Sequence, residues 1–320
     1  MGLHMRMWVL VGLMFAILYG IIVALGSYAG VNDPYTYLVM AVVVVGLQYL
    51  VGPSLVGMMM RVRYVSEQEE PELHQMVAEL ADRAGIPKPR VGVSEVSIPN
   101  AFAFGRSIRD GRVCVTRGIQ QLLTGDELRA VLGHEMTHLK NRDMIVITFL
   151  SVIPLVCYWA AWNLMFRRSR RDENYAALVG IGAFAMYFIS NLLVLYGSRI
   201  REYYADEGSV RLGNAPSELA TALYKLVYGS ARLKNDPRAQ YDLHRVQGVK
   251  AFFLNDVTNA PREIDELREI DRNYSGTISA DELLNLRSQP VRLSGVDRMM
   301  ELFTTHPNMR KRIKRLATLA

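Results

Sequence analysis

The stretch TGDELRAVLGHEMTHLK, at positions 124–140, predicts a helix that carries a metal-binding motif. His134 and His138 are four residues apart, so on a helix they stand on one face, where both imidazoles can reach one zinc ion. Glu135 lies about 100° around the same helix and can take a proton from a metal-bound water. The pattern predicts a catalytic zinc site, and the alternative interpretation is a polar helix with two surface histidines.

The third zinc ligand is expected from a distant part of the chain. A catalytic zinc uses three protein ligands and keeps one position open, and no further Gly and His follow this helix at the metzincin spacing. The segment RIREYYAD, at positions 199–206, offers Glu202 as a ligand. Asp206, one helical turn further on, can accept a hydrogen bond from a ligand imidazole and fix its orientation. An exposed helix start with ordinary charges is the alternative interpretation.

Four stretches without charged residues are long enough to cross a membrane as helices, which takes about 20 residues. They occupy positions 7–31, 35–60, 144–166 and 176–197. The first is too long for the apolar region of a signal peptide and is followed at once by the second, so we expect an uncleaved anchor. The four stretches predict two membrane hairpins, and the second hairpin returns the chain to the side that it left after His138.

Lys and Arg residues near the ends of these stretches favour a cytoplasmic N-terminus. In that orientation seven of them flank the cytoplasmic side and four flank the other side. The first group is Arg6, Arg61, Arg63, Lys140, Arg142, Arg199 and Arg201, and the second is Arg167, Arg168, Arg170 and Arg171. The turn with four arginines leaves two alternatives open: it lies outside, or the second hairpin does not fully cross the bilayer.

Charged residues on both sides of the HEMTH motif place it at the membrane surface rather than inside the bilayer. Each of them would cost several kcal/mol if it were buried in lipid. We therefore expect the active site at the cytoplasmic face of the membrane. The charged residues concerned are Asp126, Glu127, Arg129, Lys140, Arg142 and Asp143.

The rest of the sequence predicts a mainly α-helical fold with a small antiparallel β-sheet, of the α+β class. Apolar residues at helical spacing predict a helix over 67–85, and Thr124 with Glu127 predicts a capping box at the start of the HEMTH helix. Strands are expected at 90–96, 101–108 and 112–116, the last two joined by a hairpin at Asp110-Gly111. Helices follow the fourth apolar stretch, with breaks near 213–216, 259–261 and 304–307.

Several motifs together resemble the HtpX-type membrane zinc metalloproteases, which are relatives of the CAAX prenyl endopeptidases. The resemblance covers nearly the whole chain and implies a gluzincin-like catalytic domain attached to four membrane helices in two hairpins. It implies zinc bound by His134, His138 and Glu202, with Glu135 as the general base. The motifs are the two hairpins, NAFAFG at 100–105, HEMTH at 134–138, the segment from Glu202 to Asp206, Thr305-His306-Pro307 and Arg312-Ile313.

The resemblance also implies a function and further site residues. It implies an endopeptidase that cleaves damaged or misfolded membrane proteins at the cytoplasmic face of the cell membrane. Asn100 and Ala101 match an edge strand with which the family holds the substrate backbone, and an exposed edge offers unpaired N–H and C=O groups for such pairing. His306 would approach the zinc, either to stabilise the oxyanion or to occupy the open position at rest. Next to Pro307, His306 also fits a helix-capping role.

The predicted organisation divides the catalytic domain between two segments of the chain. A membrane hairpin precedes each segment, and two smaller helical units follow the second. The predicted divisions are a hairpin at 1–60, the first half of the catalytic domain at 61–143, a hairpin at 144–197, the second half at 198–260, a helix–loop–helix at 261–290 and a C-terminal helix at 291–320.

Residues 271–282, DRNYSGTISADE, fit the pattern of a calcium-binding loop with apolar helical residues on both sides. Ser275 is a weak ligand, Arg272 adds positive charge and no second loop is visible, so a metal-free helical hairpin is the alternative. The ligands would be Asp271, Asn273, Ser275, the carbonyl of Thr277 and Glu282, around a turn at Gly276.

Composition excludes several other classes of protein. Half of the residues are hydrophobic, which excludes a disordered chain, and two cysteines exclude both a disulfide-rich scaffold and a zinc cluster built from cysteines. The net charge of +6 comes largely from arginines at the edges of apolar runs. Contact with anionic lipid headgroups explains this charge more simply than a nucleic-acid partner does.

Two alternatives to a broad zinc endopeptidase stay open at this point. The first is a protease of narrow specificity that cleaves a prenylated or signal-like peptide with the same residues. The second is a non-proteolytic membrane scaffold with a structural zinc and a calcium-sensing hairpin. The scaffold predicts a closed zinc site with four protein ligands, of which His306 could be the fourth.

Overall fold

The computed structural model describes residues 34–143, 173–233, 236–245, 267–289 and 295–320, together with residues 13, 146, 153, 154, 157, 158, 161, 253, 254, 263 and 264. The chain divides into two units. The first comprises Met1–Gly52 and Ile145–Ile200, and the second comprises Pro53–Met144 and Arg201–Ala320.

The described elements are mainly helical. The strands are β1 (Val62–Tyr64), β2 (Arg90–Ser94), β3 (Ala101–Phe104) and β4 (Arg112–Thr116). The helices are α1 (Pro34–Met59), α2 (Pro71–Ala84), α3 (Arg117–Leu122), α4 (Gly125–Lys140), α5 (Glu173–Arg211), α6 (Pro216–Arg232), α7 (Pro237–Arg245), α8 (Ala280–Ser288), α9 (Gly295–Glu301) and α10 (Met309–Ala317).

Long apolar helices form the described part of the first unit. Within the described residues, one segment, Gly180–Arg211 of α5, is long and apolar enough to cross a membrane. Large apolar side chains of this helix, among them Ile181 and Phe184, are exposed, as expected of a surface that faces lipid. The predicted span at 35–60 coincides with α1, whereas the spans at 7–31 and 144–166 lie outside the described residues except for isolated positions.

The sheet of the second unit is mixed, so the predicted purely antiparallel sheet is wrong. Its strand order is β1-β2-β4-β3, with β2 and β4 parallel and both outer pairs antiparallel. After β2 the chain forms β3 at the edge of the sheet and then turns back. Strand β4 therefore lies between β2 and β3 and runs parallel to β2. Asp110-Gly111 is part of a longer loop with a 3₁₀ turn at Ile108–Asp110, not a two-residue hairpin.

Local signals determine where the helices around this sheet begin and end. The helix predicted over 67–85 begins at Pro71 and ends at Gly85, whose φ of 68° suits glycine. The predicted capping box is present, because Thr124 and Glu127 exchange side-chain to backbone hydrogen bonds at the start of α4. Helix α4 packs against α2, α6 and β3, and it therefore lies in the centre of the apolar core.

The C-terminal helices pack onto this core. The predicted break at 213–216 lies between α5 and α6, where Gly213 has a φ of 88°, and the break at 304–307 lies between α9 and α10. The break predicted at 259–261 is outside the described residues. Helix α10 contacts α6 and α8, and this packing carries the C-terminal residues back to α4 and α5.

Candidate metal centre

Helix α4 holds its two histidines side by side in the interior. The Nε2 atoms of His134 and His138 lie 3.1 Å apart, and His134 is 1% exposed. Hydrogen bonds from the Nδ1 atoms of both rings to carboxylates leave the two Nε2 lone pairs facing each other. Two facing lone pairs repel each other unless a cation lies between them, so the pair favours metal binding.

Glu202 on α5 completes a cluster with these histidines. One of its oxygens lies 3.6 Å from Nε2 of His134 and the other lies 3.5 Å from Nε2 of His138. Atoms that share a tetrahedral zinc at about 2.0–2.1 Å lie about 3.3 Å from one another. The two Nε2 atoms are 3.1 Å apart, and each lies 3.5 or 3.6 Å from one of the two Glu202 oxygens, distances close to that spacing, so the donor set fits a zinc ion.

Two glycines allow α4 and α5 to approach closely enough for this geometry. A Cβ atom at Gly208 of α5 would lie 2.2 Å from the side chain of Thr137, and one at Gly133 of α4 would lie 2.3 Å from Asn214. The Ser209 hydroxyl also donates a 2.6 Å hydrogen bond to the carbonyl of Ala130. No local sequence pattern marks these small residues as part of the site, because their role depends on the contact between two distant helices.

Carboxylates accept hydrogen bonds from both histidines of the candidate metal centre. Asp206 accepts a 2.9 Å hydrogen bond from Nδ1 of His134, the contact expected from the sequence, and Asp143 accepts a 2.6 Å hydrogen bond from Nδ1 of His138. Asp143 was noted only as a charged neighbour of the motif. It reaches back because the chain turns sharply after α4 at Arg142, which has a φ of 57°, and because Arg201 donates to its carbonyl.

Arg312 of α10, which belongs to one of the motifs of the resemblance, is a further part of the site. Its guanidinium is fully buried and donates to both oxygens of Asp206, at 2.9 and 2.7 Å. It also lies 3.2 Å from an oxygen of Glu202 and donates to the carbonyl of Leu254. In the sequence, Arg312 stands among the apolar positions of an amphipathic helix, close to the motif at 305–307 on which the resemblance also rests. An arginine at such a position is expected to be buried and paired with carboxylates.

The pKa values of two groups reflect the burial and the charges of the site. Burial alone lowers the pKa of His134, but hydrogen bonds to Asp206 and Glu202 outweigh it and raise the pKa to about 9. The carboxylates around His134 therefore favour a positive charge on its imidazole. A divalent cation bound there would supply that charge in place of a proton. Burial raises the pKa of Glu135 above its usual value, although the positive charge of the nearby histidines acts to lower it. A carboxylate with a raised pKa is a stronger base.

His306 lies beside Glu202 at the same pocket. Its Nδ1 is 3.3 Å from an oxygen of Glu202, and neither ring nitrogen has a hydrogen-bond partner within the described part of the chain. Asn308, not His306, caps α10 by accepting a hydrogen bond from Arg310. The pocket is lined by Phe102, Ala103, His134, Glu135, His138, Asp143, Arg201, Glu202, Phe253, Leu254 and His306.

The predicted substrate strand occupies the edge of the described sheet, as β3. The backbone N–H and C=O groups of Asn100 face β4, through hydrogen bonds with Thr116. The side chain of Asn100 accepts a 2.9 Å hydrogen bond from the backbone of Leu254, and both Asn100 and Ala101 are fully buried. The residues of this strand that line the pocket are therefore Phe102 and Ala103.

The predicted calcium loop lies apart from this cluster, leads into α8 and packs against α6. Asp271 is 1% exposed, and it accepts hydrogen bonds from the hydroxyl of Tyr224 and from the backbone of Ser275 and Gly276. Glu282 accepts hydrogen bonds from Ser279 in a capping box and from the backbone of Arg272. Positive φ values at Tyr274 and Gly276 fold the loop back on itself.

Comparisons with known proteins agree with this geometry. The model of Peptidase family M48 matches residues 67–320. A relative named "Protease HtpX homolog" from Methanothermobacter thermautotrophicus is 55% identical over 225 residues, which is 70% of this chain and 86% of the relative. A relative of the same name from Moorella thermoacetica is 33% identical over 326 residues, which is 99% of this chain and 94% of the relative.

A solved structure shares the fold. The crystal structure of S. mikatae Ste24p matches 98% of this chain and 67% of that chain, with a TM-score of 0.51 and 17% sequence identity. The family match covers most of the chain, and the identity to full-length relatives extends over nearly all of it. The resemblance seen in the motifs is confirmed: the chain belongs to peptidase family M48, as an HtpX-type membrane-associated metalloprotease.

Proposed function

We propose that the chain is a zinc endopeptidase whose metal is held by His134, His138 and Glu202. The observation that carries this proposal is the approach of the two Nε2 atoms to 3.1 Å and of the Glu202 carboxylate to 3.5 and 3.6 Å from them, close to the donor spacing around a tetrahedral zinc, beside a pocket with Glu135 in its wall. When bound there, zinc would supply a Lewis acid that polarises a scissile carbonyl and makes a water molecule more acidic. Asp206 and Asp143 would keep both imidazoles in the orientation that ligation needs.

Glu135 would move the proton in this reaction. Its carboxylate would take a proton from the attacking water and later deliver it to the leaving amine. The raised pKa of Glu135 supports both steps, since it makes the group a better acceptor and keeps the proton available for transfer. His306, at the same pocket, would donate a hydrogen bond to the oxygen that becomes negative, or would fill the open position at rest.

Extended polypeptide segments suit the pocket as substrates. Strand β3 is an edge strand of the described sheet and pairs with a strand on one side only, so a peptide can add to its other side as a further strand. We assign recognition of the substrate backbone to the sheet edge that begins at Asn100 and Ala101 and continues along β3. Asn100 would act by holding Leu254, and Phe102 with Ala103 would line the path to Glu135.

Damaged or misfolded membrane proteins are the substrate class that we propose, with cleavage at the cytoplasmic face. An apolar helix leads directly into the segment that carries Glu202, so the protease and a membrane-embedded substrate would share one environment. The two membrane hairpins and the cytoplasmic orientation rest on the charge-free stretches and on the distribution of Lys and Arg in the sequence. A narrow preference for prenylated or signal-like peptides is the alternative within the same chemistry.

Cleavage of casein by the purified full chain tests the proposal. We expect cleavage that stops with a zinc chelator and returns with added zinc. Glu135→Gln should retain bound zinc but lose activity by roughly 100-fold or more, since it removes the general base. Glu79→Gln, at an exposed glutamate of α2, serves as the matched control. Normal cleavage by Glu135→Gln would contradict the mechanism, and zinc-bound protein without any peptidase activity would favour the scaffold.

We also propose that the loop at 271–282 binds calcium. The buried Asp271 supports this, because its described hydrogen-bond partners are neutral groups and a buried carboxylate favours a nearby cation. Calcium should raise the midpoint of thermal unfolding, and Glu282→Gln should remove that increase, whereas Asp281→Asn should keep it. An equal rise with magnesium, or a rise that persists in Glu282→Gln, would contradict the assignment.

A further inference from the structure

The segment from Met299 to Phe303 presents apolar side chains to the outside of the second unit. Four of its five residues are large and apolar, and all four are exposed: Met299 by 58%, Met300 by 38%, Leu302 by 49% and Phe303 by 53%. Contiguous exposed apolar side chains of this size are uncommon on a protein surface that meets only water.

Hydrogen bonds fix this outward arrangement. The backbone turns at the end of α9, where Leu302 and Phe303 donate to the carbonyls of Met299 and Met300 at 3.2 and 3.0 Å. The one charged residue of the segment, Glu301, points inward, where it pairs with Lys311 and accepts a hydrogen bond from the backbone of Asn308. The segment therefore exposes its apolar residues while its one carboxylate is half-buried and paired, the reverse of what water favours.

Positive charge lies next to the segment. Helix α10 carries Lys311, Lys314 and Arg315 on or near its surface, and the side chains of Lys311 and Arg315 are 34% and 37% exposed. A basic helix beside exposed apolar side chains matches an anionic lipid surface, in which the charges meet headgroups and the apolar groups meet acyl chains.

The C-terminal part of helix α5, which continues from an apolar segment, contacts α10. The guanidinium of Arg315 lies 5.4 Å from the ring centroid of Tyr203, which is on α5. The apolar part of the same helix, in which the charge-free run ends at Gly197, is the segment that is long enough to cross a bilayer. Exposed apolar side chains, basic charge and chain continuity with an apolar helix together favour a lipid surface as the occupant.

We propose that residues 299–303 insert into the anionic lipid surface as an interfacial anchor. The anchor is joined to the active site, because the hydroxyl of Thr304 lies 3.0 Å from the carbonyl oxygen of Glu301 and 2.8 Å from that of His306, so that its one proton bridges the two. Lipid contact thereby holds the loop that carries His306. The proposal adds a second membrane contact to the membrane-crossing helix.

Spin labels on the full chain in lipid nanodiscs test the anchor. A label at Phe303→Cys should be severalfold more accessible to oxygen, relative to a water-soluble nickel reagent, than a label at Leu284→Cys. Leu284 is a matched control, since it is 47% exposed on α8. The background from Cys114 and Cys157, which are both buried, is measured on the unsubstituted chain. Labels at Met299→Cys provide a second position, should Phe303→Cys fold poorly.

Three outcomes would overturn the lipid assignment. The first is an oxygen-to-nickel ratio at positions 299 and 303 equal to that at position 284, in nanodiscs that contain anionic lipid. The second is a ratio that rises only when unfolded casein is added, which would assign the segment to polypeptide binding. The third is protection that depends on protein concentration, which would assign it to a second copy of the chain. A higher ratio in anionic than in zwitterionic nanodiscs, without added protein, would support the proposal.

Discussion

Arg312 neutralises two buried carboxylates of the candidate metal centre at once. Its planar guanidinium reaches both oxygens of Asp206 and one oxygen of Glu202, an arrangement that fits the fork of donors on an arginine. Burial works against its charge, but Asp206 and Glu202 raise the pKa of Arg312 above its ordinary value. The guanidinium therefore stays charged and keeps both carboxylates ionised beside the histidines.

We predict that Arg312→Lys weakens zinc binding by roughly 10- to 100-fold, because an ammonium group cannot donate to both oxygens of Asp206 and the histidine orientation loosens. Arg312→Ala should in addition lower the free energy of unfolding by about 3–5 kcal/mol, since it leaves buried carboxylates without their partner. Competition with a coloured chelator measures the affinity. Arg310→Lys, on the same helix but paired with Glu269, should bind zinc normally, and equal affinity of all these variants would contradict the role.

Asp143 should also contribute to zinc affinity, through its hydrogen bond with His138. Asp143→Asn should lower zinc affinity by roughly 10- to 100-fold, since the amide cannot hold Nδ1 of His138 as a carboxylate does. Asp206→Asn should lower it at least as much, because that change also disturbs Arg312. Zinc retained after dialysis against a weak chelator is the measurement, with the exposed Asp281→Asn as control. Full zinc retention by Asp143→Asn would show that Asp143 does not position the ligand.

Helices α4 and α5 form the site because their backbones meet at small residues. Gly133 lies against Ser209 and Asn214, and Gly208 lies against Thr137, so that the histidine face of α4 and Glu202 of α5 fall within ligand distance. Hydrogen bonds from Ser209 to Ala130, and from Asn214 to Ser209, fix the crossing. The site therefore depends on helix packing as much as on its ligands.

We predict that Gly208→Ala abolishes activity and most of the zinc affinity, because the added Cβ would lie 2.2 Å from Thr137 and would force α5 away from α4. Overpacking of this kind costs about 1–3 kcal/mol in stability as well. Gly125→Ala is the control, because its Cβ would lie 3.8 Å from the side chain of Met76, an ordinary van der Waals contact. Zinc stoichiometry and casein cleavage are measured together. An active Gly208→Ala variant would mean that the crossing tolerates a wider separation.

The whole second unit should respond to the metal, because the proposed ligands come from helices that are distant in sequence. A chelator should lower the midpoint of thermal unfolding, and restored zinc should stabilise the fold by about 4 kcal/mol when free zinc exceeds its dissociation constant roughly 1,000-fold. Glu202→Gln should have a lower midpoint that no longer depends on chelator. Glu207→Gln, on the same helix and paired with Arg211, should keep the zinc response, and a midpoint of the unsubstituted chain that ignores chelator would contradict this coupling.

Sequence patterns anticipated the features of the whole molecule that depend on close neighbours in the chain. The capping box at Thr124, the helix stop at Gly85 and the break after α5 all follow from short-range chemistry. The antiparallel pairing of β3 with β4 follows the predicted order of the strands, but the parallel pairing of β4 with β2 could not be predicted in this way, because it depends on which strand the tertiary packing brings to the other side of β4. The contact of Asp143 with His138 likewise depends on a left-handed residue at Arg142.

The sequence by itself determined the family, the peptidase chemistry and the candidate ligands, because His134, Glu135 and His138 obtain their relative positions from one helical turn. Only the tertiary structure decided how Glu202 meets them, since that contact depends on the close crossing of α4 and α5. It also decided the buried link between Arg312, Asp206 and Glu202. The physical reason is that local hydrogen bonding fixes positions within a helix, whereas contacts between distant helices follow from the fit of whole surfaces in the core.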